Sequence, residues 1–394
     1  MKGKGDFYLG ELKNFPKKMT DSVESPCFII NEGLLKRNLE ILASVKKRTG
    51  AKIFLALKAF AMHSTFPIIS KYLDGISASG PIEARLGYEK FGKEVHTYSP
   101  AYSDKDLADA IAYSDTIIFN SISQWKKYRG ALARSGKKIE VGLRVNPGYS
   151  EVETKLYDPV AFGTRLGILP NELRGQDLTG IDGLHFHALC EQNSATLVRV
   201  LKSFEKRYAK HISKMKWVNF GGGHHITRND YDVELLVKTI NNFQKKYGVQ
   251  VYLEPGEAVV LDAGVLVSTV LDVSRKEVDV AILDTSAEAH MPDVLAQPYR
   301  PNIIGAGKER EQKYTYRLGG LTCLAGDVIG DYSFAQRLRP QNRLVFLDMA
   351  HYSMVKTTTF NGVRHPSIAT YDPDSGKVHI IKRFGYEAYK DRLS

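Results

Sequence analysis

The fold of this chain is decided by the stretch Trp217-Val218-Asn219-Phe220-Gly221-Gly222-Gly223 and by the residues that follow it. A helical pattern covers Val233–Tyr247, and a second short apolar run, Val251–Leu253, comes after that helix. A strand, a helix and a strand in this order form a βαβ unit, whose two strands lie parallel in one sheet. The first strand ends in a glycine run and the second in Glu254, so both deliver polar groups to the same edge of the sheet.

The same alternation extends outward to about residue 50. We predict the remaining strands at Ile53–Leu57, Gly75–Ala78, Glu94–Tyr98, Thr116–Phe119, Val141–Val145 and Gly183–His187. Further helical patterns lie at Leu34–Arg48, Pro81–Phe91, Asp104–Tyr113, Ser123–Arg134 and Ala195–Lys214. Eight such strands favour closure into a (β/α)8 TIM-like barrel, which we place at residues 31–258. An open doubly wound sheet fits the same pattern, because periodicity does not report closure.

After about residue 258 the pattern changes to strands separated by turn residues. The predicted strands are Val259–Val267, Thr269–Val273, Val278–Leu283, Tyr314–Leu318, Arg343–Leu347 and Lys377–Lys382. Only short helices fit between them, which indicates a β-barrel or sandwich domain. One apolar run, Cys27–Ile30, precedes the first barrel helix, and we expect it to pair with this domain. The β domain is therefore predicted to comprise residues 1–30 and 259–394.

The composition is that of an ordinary globular protein, with 394 residues, 43% hydrophobic and 25% charged, which excludes collagen-like, disordered and disulfide-scaffold proteins. The formal net charge of +11 invites a role in nucleic-acid or membrane binding. The basic residues, however, occur as scattered pairs on apparent helices, and no nucleic-acid motif accompanies them. We therefore interpret the charge as solvated helix faces and predict neither nucleic-acid nor membrane partners.

The cysteines indicate a reducing compartment. Cys27, Cys190 and Cys323 lie far apart without C-x-x-C spacing, which suits neither a disulfide framework nor a zinc site. The first six residues lack the apolar core of a signal peptide, and no apolar run is long enough to span a membrane. We expect a cytoplasmic protein.

Chemically reactive side chains and a glycine run lie at the ends of the predicted barrel strands. The relevant residues are Lys58, Arg144, His185, His187, the run Gly221–Gly223 and Glu254. Because active sites of such barrels lie at the carboxyl ends of the strands, these side chains are predicted to converge on one rim.

The residue types at this rim favour pyridoxal 5′-phosphate as cofactor. Apolar residues surround Lys58 in the sequence, and they would desolvate its ammonium group and lower its pKa, as a Schiff-base lysine requires. Backbone N–H groups of a glycine run approach a phosphate closely because side chains are absent. A histidine stacked on the ring and a carboxylate at the pyridine nitrogen would complete the site. Alternatively, His185 and His187 share one face of a strand and would bind a metal ion in a barrel hydrolase.

Several motifs in order resemble the fold-type III pyridoxal-phosphate decarboxylases, the family of ornithine, arginine and diaminopimelate decarboxylases. The matching stretches are Leu55–Ala59, Leu184–His187, Gly221–Gly223, Glu254–Gly256, Leu321–Cys323 with Asp327, and Thr359–Gly362. The resemblance implies an alanine racemase-like fold. It also implies that Lys58 links covalently to the cofactor, that His187 stacks on the cofactor face and that Glu254 pairs with the pyridinium nitrogen.

The resemblance assigns the remaining site residues as well. Gly221, Gly222 and Gly223 with Tyr352 would contact the phosphate, Gly256 would belong to the same cofactor site, and Arg144 would lie near the ring edge. Cys323 would enter the active site from the partner subunit and assist protonation of the carbanion. This implies a homodimer whose active sites are shared between subunits.

Glu254 also favours one reaction over another. A carboxylate keeps the ring nitrogen protonated and so deepens the electron sink that accepts the pair released with CO2. Alanine racemases share the barrel but place an arginine at that position, which weakens the sink. The sequence therefore predicts decarboxylation rather than racemisation.

Departures from the family pattern concern the substrate. The family motif E-P-G-R ends here in Glu257, and the motif H-x-G-S is replaced by His187–Cys190, followed by Glu191. Together with Asp293 and Asp327, these acids predict a mouth suited to a substrate with a cationic tail. The variants resemble the family members that act on carboxylated polyamines, so we predict that these four acids bind the tail. Diaminopimelate decarboxylase, or a decarboxylase of another basic amino acid, is the alternative within the family.

Overall fold

The computed structural model describes residues 15–394. These residues form two compact units, one of Arg37–Val259 and one of the described residues up to Lys36 with Val260–Ser394. The boundary between the units falls inside the helix Glu32–Thr49. The predicted β domain includes residues 1–14, which lie outside the described residues.

The unit Arg37–Val259 contains a closed barrel of parallel strands. A first strand, β1 (Cys27–Asn31), precedes it in the chain. The barrel strands are β2 (Lys52–Ala56), β3 (Gly75–Ala78), β4 (Glu94–Tyr98), β5 (Thr116–Phe119), β6 (Glu140–Arg144), β7 (Gly183–His185), β8 (Trp217–Asn219) and β9 (Gln250–Leu253). Each strand pairs with its neighbour, and β2 closes the ring on β9. The barrel prediction is confirmed, and the open-sheet alternative is wrong.

Helices alternate with these strands. They span Glu32–Thr49, Phe66–Ile69, Pro81–Lys90, Asp104–Tyr113, Ile122–Arg134, Pro170–Leu173, Ser194–Ile212, Val233–Tyr247 and Glu257–Val260, with single 3₁₀ turns at His63–Thr65 and Lys155–Tyr157. Their ends follow local chemistry. The side chain of Asp232 accepts a hydrogen bond from Leu235 N and so caps Val233–Tyr247, which ends at Gly248 with a φ of 68°.

The interior of the barrel is filled by large side chains. Phe54, Ile118, Trp217 and Tyr252 pack together there. Gly183 leaves the room that the Trp217 indole occupies, since a Cβ at Gly183 would lie 2.1 Å from the indole. The barrel is therefore a packed scaffold that fixes the strand ends rather than an open channel.

The other unit is built on an eight-stranded mixed sheet. Its later strands are β10 (Gly264–Arg275), β11 (Asp279–Leu283), β12 (Tyr314–Gly319), β13 (Val328–Phe334), β14 (Arg343–Leu347), β15 (Ser367–Asp372) and β16 (Lys377–Lys382). The order is β13-β12-β11-β10-β1-β15-β16, with β14 paired to β10. Short helices cover Lys17–Asp21, Ala287–His290, Asp293–Ala296, Ser353–Lys356 and Tyr386–Lys390, and a 3₁₀ turn covers Phe360–Gly362.

The leftover strand was predicted correctly, and four details of the sheet were not. Val259–Val267 and Thr269–Val273 were predicted as separate strands, but the residues from Gly264 onward form the single strand β10. The strand β1 lies between β10, to which it is antiparallel, and β15, to which it is parallel. The predicted strand Val259–Val267 is wrong in its first half, because Glu257–Val260 is a helical turn and β10 begins at Gly264. A short buried apolar run fits either element, so periodicity misassigned it. Strands β13 and β15 were missed, since the polar residues and glycine within them weaken the alternation.

Among the described residues, no helix combines the length and the hydropathy that crossing a lipid bilayer requires.

Candidate active site

A cavity lies at the carboxyl ends of the barrel strands. Six residues singled out in the sequence line it: Lys58, Arg144, His185, His187, Gly222 and Glu254. Small residues at the end of β3, Ser77–Ser79, complete one wall together with Tyr98. The structure therefore brings the predicted rim residues together in one place.

Lys58 supplies an amine of lowered pKa. Its side chain is accessible in the cavity, while its backbone neighbours Leu57 and Ala59 are fully buried. Desolvation is the main cause that lowers the pKa of Lys58, and the nearby Arg144 charge lowers it further, against the opposing effect of Glu254. A larger fraction of the side chain is therefore in the unprotonated form that can attack a carbonyl.

Glu254 is a buried carboxylate held by two partners. His185 Nε2 lies 3.3 Å from its Oε2, and Asn219 Nδ2 donates to its Oε1 at 2.8 Å. Burial acts to raise the pKa of Glu254, but these two partners outweigh it and hold the pKa well below its usual range. Glu254 is thus ionised and oriented, with lone pairs left to accept another hydrogen bond.

His187 is fixed by the glycine run. Gly222 N donates to His187 Nδ1 at 3.1 Å, so the ring proton lies on Nε2. Desolvation, followed by the Lys58 charge, lowers the pKa of His187 well below its ordinary value, so the ring is neutral. A neutral imidazole can pack flat against an aromatic cofactor without repelling Lys58 or Arg144.

The glycine run makes a turn that side chains would prevent. Gly221 and Gly223 have φ values of 70° and 81°, and a Cβ at Gly222 would lie 2.5 Å from Glu254 O. Gly221 N donates to Asn219 Oδ1 at 2.8 Å, and Gly223 O accepts from Gln192 N at 3.0 Å. Gly221 O accepts from Glu254 N at 2.8 Å, so the turn links the strand that carries Asn219 to the residue that follows β9.

Gly256 supports the turn that carries Lys58. A Cβ at Gly256 would lie 2.5 Å from Ala59 Cβ, and Pro255 O accepts from Ala56 N at 3.1 Å. Its position is that of a packing residue next to the cavity.

Arg144 lies against an aromatic ring. Its Cζ is 4.6 Å from the centroid of the Tyr98 ring, a distance typical of cation–π contacts. Burial lowers the pKa of Arg144, but a guanidinium remains charged in proteins. The cavity thus contains one fixed positive charge that neither Lys58 nor the histidines supply.

The two predicted tail-binding acids of the barrel unit differ in their surroundings. Glu257 is largely buried and its Oε2 lies 3.0 Å from His225 Nε2. Glu191 is exposed and has a φ of 55°, a left-handed conformation that is costly for a residue with a Cβ. Near them, burial raises the pKa of the Cys190 thiol to about 12, so this cysteine stays protonated.

In the β unit, Asp327 organises the loop that carries Cys323. The Asp327 carboxylate accepts from Ala287 N at 2.7 Å, from Ser286 Oγ at 2.9 Å and from Thr322 Oγ1 at 2.8 Å. Cys323 is exposed, and its N–H donates to Asn361 Oδ1 at 2.7 Å. The exposed thiol is therefore presented by a loop with fixed ends.

Asp293 and Tyr352 both contact the ammonium group of Lys356. Both carboxylate oxygens of Asp293 accept from Lys356 Nζ, at 2.6 and 2.8 Å. The same ammonium lies 5.2 Å from the centroid of the Tyr352 ring. Tyr352 has a φ of 51°, and a strained backbone of this kind is frequent at functional sites.

Sequence reasoning assigned no site role to Asn219, His225 or Tyr98. Each ends a strand or follows the glycine run, and a polar side chain at the end of an otherwise apolar strand is the signal that could have identified it. Their partners lie 32 or more positions away in the chain, so no local pattern connects them.

Comparison with known protein families assigns the chain to a class. Residues 27–350 match the family described as pyridoxal-dependent decarboxylase, C-terminal sheet domain. The chain belongs to this family of pyridoxal-dependent decarboxylases, and it is a carboxy-lyase. The metal-dependent hydrolase considered as an alternative is therefore wrong.

Individual relatives are more specific. The carboxynorspermidine/carboxyspermidine decarboxylase of Campylobacter jejuni is 43% identical over 383 residues, which cover 94% of this chain and 99% of that protein. The carboxyaminopropylagmatine decarboxylase of Synechocystis is 43% identical over 374 residues, covering 94% and 96%. The crystal structure of carboxynorspermidine decarboxylase complexed with norspermidine from Campylobacter jejuni superposes with a TM-score of 0.87, covering 94% of this chain and 100% of that one. Diaminopimelate decarboxylase from Helicobacter pylori, at 14% identity and a TM-score of 0.80, shares the fold.

The residues of the barrel cavity fit the cofactor of this family. A lysine amine of lowered pKa, an ionised carboxylate with spare lone pairs and a neutral histidine line one cavity beside a tight glycine turn. These are the groups that an aldehyde, a pyridine nitrogen, an aromatic face and a phosphate require.

Proposed function

We propose that this enzyme decarboxylates carboxynorspermidine and carboxyspermidine, yielding norspermidine and spermidine in polyamine biosynthesis. Relatives of that activity from Campylobacter jejuni and Herminiimonas arsenicoxydans are 43% and 36% identical over nearly the whole chain. The main observation behind this proposal is that Lys58 and Glu254 line the same cavity. Lys58 supplies a nucleophilic amine there, and Glu254 supplies a negative charge whose position is fixed by Asn219.

Each residue of the barrel cavity has a separate role in the proposed reaction. Pyridoxal phosphate, when bound, supplies an aldehyde for covalent capture of the substrate and an electron sink for the pair released with CO2. Lys58 would hold the cofactor through its unprotonated amine, and Glu254 would pair with the ring nitrogen and favour its protonated form. His187 would pack on the ring face, and the backbone of the turn Gly221–Gly223 would hold the phosphate. Arg144 would provide positive charge near the ring edge.

We assign Gly256, Tyr352 and Cys323 supporting roles. Gly256 allows the close packing under Lys58 that the cavity needs. Tyr352 would help to hold the phosphate, and Cys323 would assist protonation of the product carbon. The exposure of Cys323 on an anchored loop supports a role across a homodimer interface, with each active site completed by the partner subunit.

The amine tail of the substrate is cationic, so we expect acidic side chains to bind it. The contacts that each acid already makes indicate how it would take part. Glu191 is exposed at the barrel rim. Glu257 already contacts the His225 ring, and Asp293 already holds the Lys356 ammonium, so a substrate ammonium would share or displace these partners. Asp327 is saturated by hydrogen bonds from its own loop, and we expect it to shape the tail site by positioning that loop.

A second candidate substrate is carboxyaminopropylagmatine. The Synechocystis relative named for it is as similar to this chain as the Campylobacter relative, at 43% identity. That substrate also combines an amino-acid head with a cationic tail, and its guanidinium would pair with the same acids. Diaminopimelate decarboxylases are 24% identical or less among the relatives compared here in sequence, which disfavours a dicarboxylic substrate.

Two measurements test the proposal. Borohydride reduction of the purified enzyme followed by peptide mapping should label Lys58 and no other lysine. Release of CO2 is then compared for carboxynorspermidine, carboxyspermidine, carboxyaminopropylagmatine and diaminopimelate. The proposal requires the highest kcat/KM with one of the first two substrates; a preference for the third would assign the guanidine substrate, and a preference for diaminopimelate would overturn the polyamine assignment.

The tail residues are tested by charge removal. We expect Glu191→Gln, Glu257→Gln and Asp293→Asn each to raise KM for the polyamine substrate while kcat changes little, because they bind a part of the substrate that does not react. An unchanged KM in all three variants would contradict this part of the proposal.

A further inference from the structure

We propose that Tyr98 is a positioning residue whose ring holds the Arg144 guanidinium away from Glu254. Its function would be to keep the Glu254 carboxylate available for the ring nitrogen of the cofactor. The three side chains line one cavity, and Arg144 Cζ lies 4.6 Å from the Tyr98 ring centroid. The inference rests on the proposed role of Glu254, and the experiment below separates the two.

Arg144 and Glu254 need to be kept apart because they are the obvious ion pair of this cavity. Their exposed fractions are 6% and 8%, and opposite charges attract strongly where water is largely excluded. A guanidinium also matches a carboxylate with two parallel N–H···O bonds. In the described structure, however, the Glu254 carboxylate contacts His185 and Asn219, and the guanidinium lies on an aromatic face instead.

Tyr98 is itself rigidly held. Its hydroxyl donates to Asn120 Oδ1 at 2.8 Å, and the same oxygen accepts from Gly167 N at 2.7 Å. Asn120 Nδ2 donates to Arg165 O at 2.8 Å, so Asn120 ties Tyr98 to the loop that follows β6. The ring itself packs against the barrel core of Phe54, Ile118, Trp217 and Tyr252, and this packing does not depend on the hydroxyl.

The same ring contacts the residue that orients Glu254. The centroids of Tyr98 and His185 are 5.7 Å apart with an interplanar angle of 32°. Tyr98 thus touches Arg144 through one contact and His185 through another. A guanidinium released from the ring would have the Glu254 carboxylate as its strongest available partner, and it would compete there with the pyridine nitrogen.

The test uses the holoenzyme and two substitutions at one position. Tyr98→Phe keeps the aromatic face and removes only the hydroxyl, whereas Tyr98→Leu removes the face. We expect Tyr98→Leu to lower kcat by about 10- to 30-fold, the range of a desolvated cation–π contact, with KM changed less. Tyr98→Phe should recover most of the lost rate, which a hydroxyl-dependent or proton-transfer role would not allow.

A spectroscopic readout separates this role from general damage. The visible absorption band of the bound cofactor reports the state of its ring nitrogen, and Glu254→Gln provides the reference for a lost carboxylate. We expect Tyr98→Leu to shift the band toward that of Glu254→Gln, and Tyr98→Phe to keep the wild-type band. In an Arg144→Met background, Tyr98→Leu should cause no further shift, because the competing guanidinium is gone.

Each outcome decides one point. If Glu254→Gln has the wild-type band, the proposed role of Glu254 fails. If Glu254→Gln shifts the band but Tyr98→Leu does not, the positioning role of Tyr98 fails. If Tyr98→Leu shifts the band equally with and without Arg144, Tyr98 acts on the cofactor directly, and the inference is overturned.

Discussion

At the scale of single residues, Glu254 is the group whose charge matters most for the reaction. We expect Glu254→Gln to lower kcat for carboxynorspermidine by about 10²–10³-fold, the range for removal of one preorganised electrostatic group. The amide retains nearly the same shape and can still bond to Asn219, so the loss reports the charge. The measurement is steady-state kinetics on the cofactor-loaded enzyme.

The matched control is Glu234→Gln, which removes a carboxylate that pairs with Arg48 on the exposed surface of the barrel unit. We expect its kcat to equal that of the wild type, since exposed ion pairs contribute little. Equal rates in the Glu254 and Glu234 variants would remove Glu254 from the mechanism.

Also at the residue scale, His224 is predicted to make stability depend on pH. It is 1% exposed, and desolvation lowers its pKa to about 4. In the unfolded chain His224 binds a proton near pH 6.5, whereas in the folded chain it does so only near pH 4. The contribution of His224 to the unfolding free energy is therefore fully present above pH 6.5 and is lost as the pH falls from 6.5 toward 4. Between pH 7 and pH 5 this residue should cost the wild type about 2 kcal/mol.

The test is urea unfolding of the wild type and of His224→Leu at both pH values. We expect the leucine variant to lose less of its unfolding free energy on acidification than the wild type does. An identical loss in both proteins would show that His224 is not protonated on unfolding in this range.

At the scale of elements, the turn after β8 couples the carboxyl ends of neighbouring strands. The prediction concerns Gly222→Ala, whose new Cβ would lie 2.5 Å from Glu254 O. The backbone of one strand must shift, at a cost of about 1–3 kcal/mol. Because Glu254 and His187 both depend on this turn, we expect at least a tenfold weaker affinity for pyridoxal phosphate, measured by fluorescence titration of the apoenzyme.

Gly385→Ala is the control for the loss of a glycine as such, because nothing lies within 4 Å of the added atom. Its cofactor affinity should match that of the wild type. A wild-type affinity in Gly222→Ala would mean that the strand end tolerates the shift and that the turn does not position the cofactor.

At the scale of the whole molecule, the proposed homodimer makes a prediction about mixed subunits. Lys58→Ala removes the amine of the barrel unit, and Cys323→Ala removes the thiol of the β unit. If each site takes Lys58 from one subunit and Cys323 from the other, equal mixing of the two inactive variants should restore about a quarter of the wild-type activity, since half of the dimers then contain one intact site.

The control is each variant incubated alone under the same exchange conditions, with the dimer content followed by analytical ultracentrifugation. If mixed dimers form but activity does not recover, Lys58 and Cys323 of one active site come from the same subunit. A protein that stays monomeric at assay concentration while active would contradict the shared site.

Part of the site was predictable because it follows from position along a strand. Lys58, Arg144, His187 and Glu254 lie at or next to the ends of parallel strands, and closure of the barrel brings such ends together whatever the side chains are. The leftover strand Cys27–Ile30 was predictable for a related reason, since an apolar run without a place in the barrel must pair elsewhere.

The pairings within the site were not predictable in this way. Asn219 and His185 both contact Glu254, His225 contacts Glu257, and Lys356 contacts Asp293. Each contact joins residues that local periodicity treats as independent. The sequence therefore predicted an acidic mouth, whereas the structure shows that two of those acids already have basic partners.

By itself, the sequence determined the alternation that builds the barrel and the residue types at the strand ends, because both are local properties. The resemblance of its ordered motifs to a known family added the cofactor and the reaction type. Only the tertiary structure decided which charges neutralise each other and which remain available for chemistry. The Arg144 guanidinium resting on Tyr98 rather than on Glu254 is the clearest case. The energy of a buried charge depends on the groups that surround it in space, and those groups come from strands far apart in the chain.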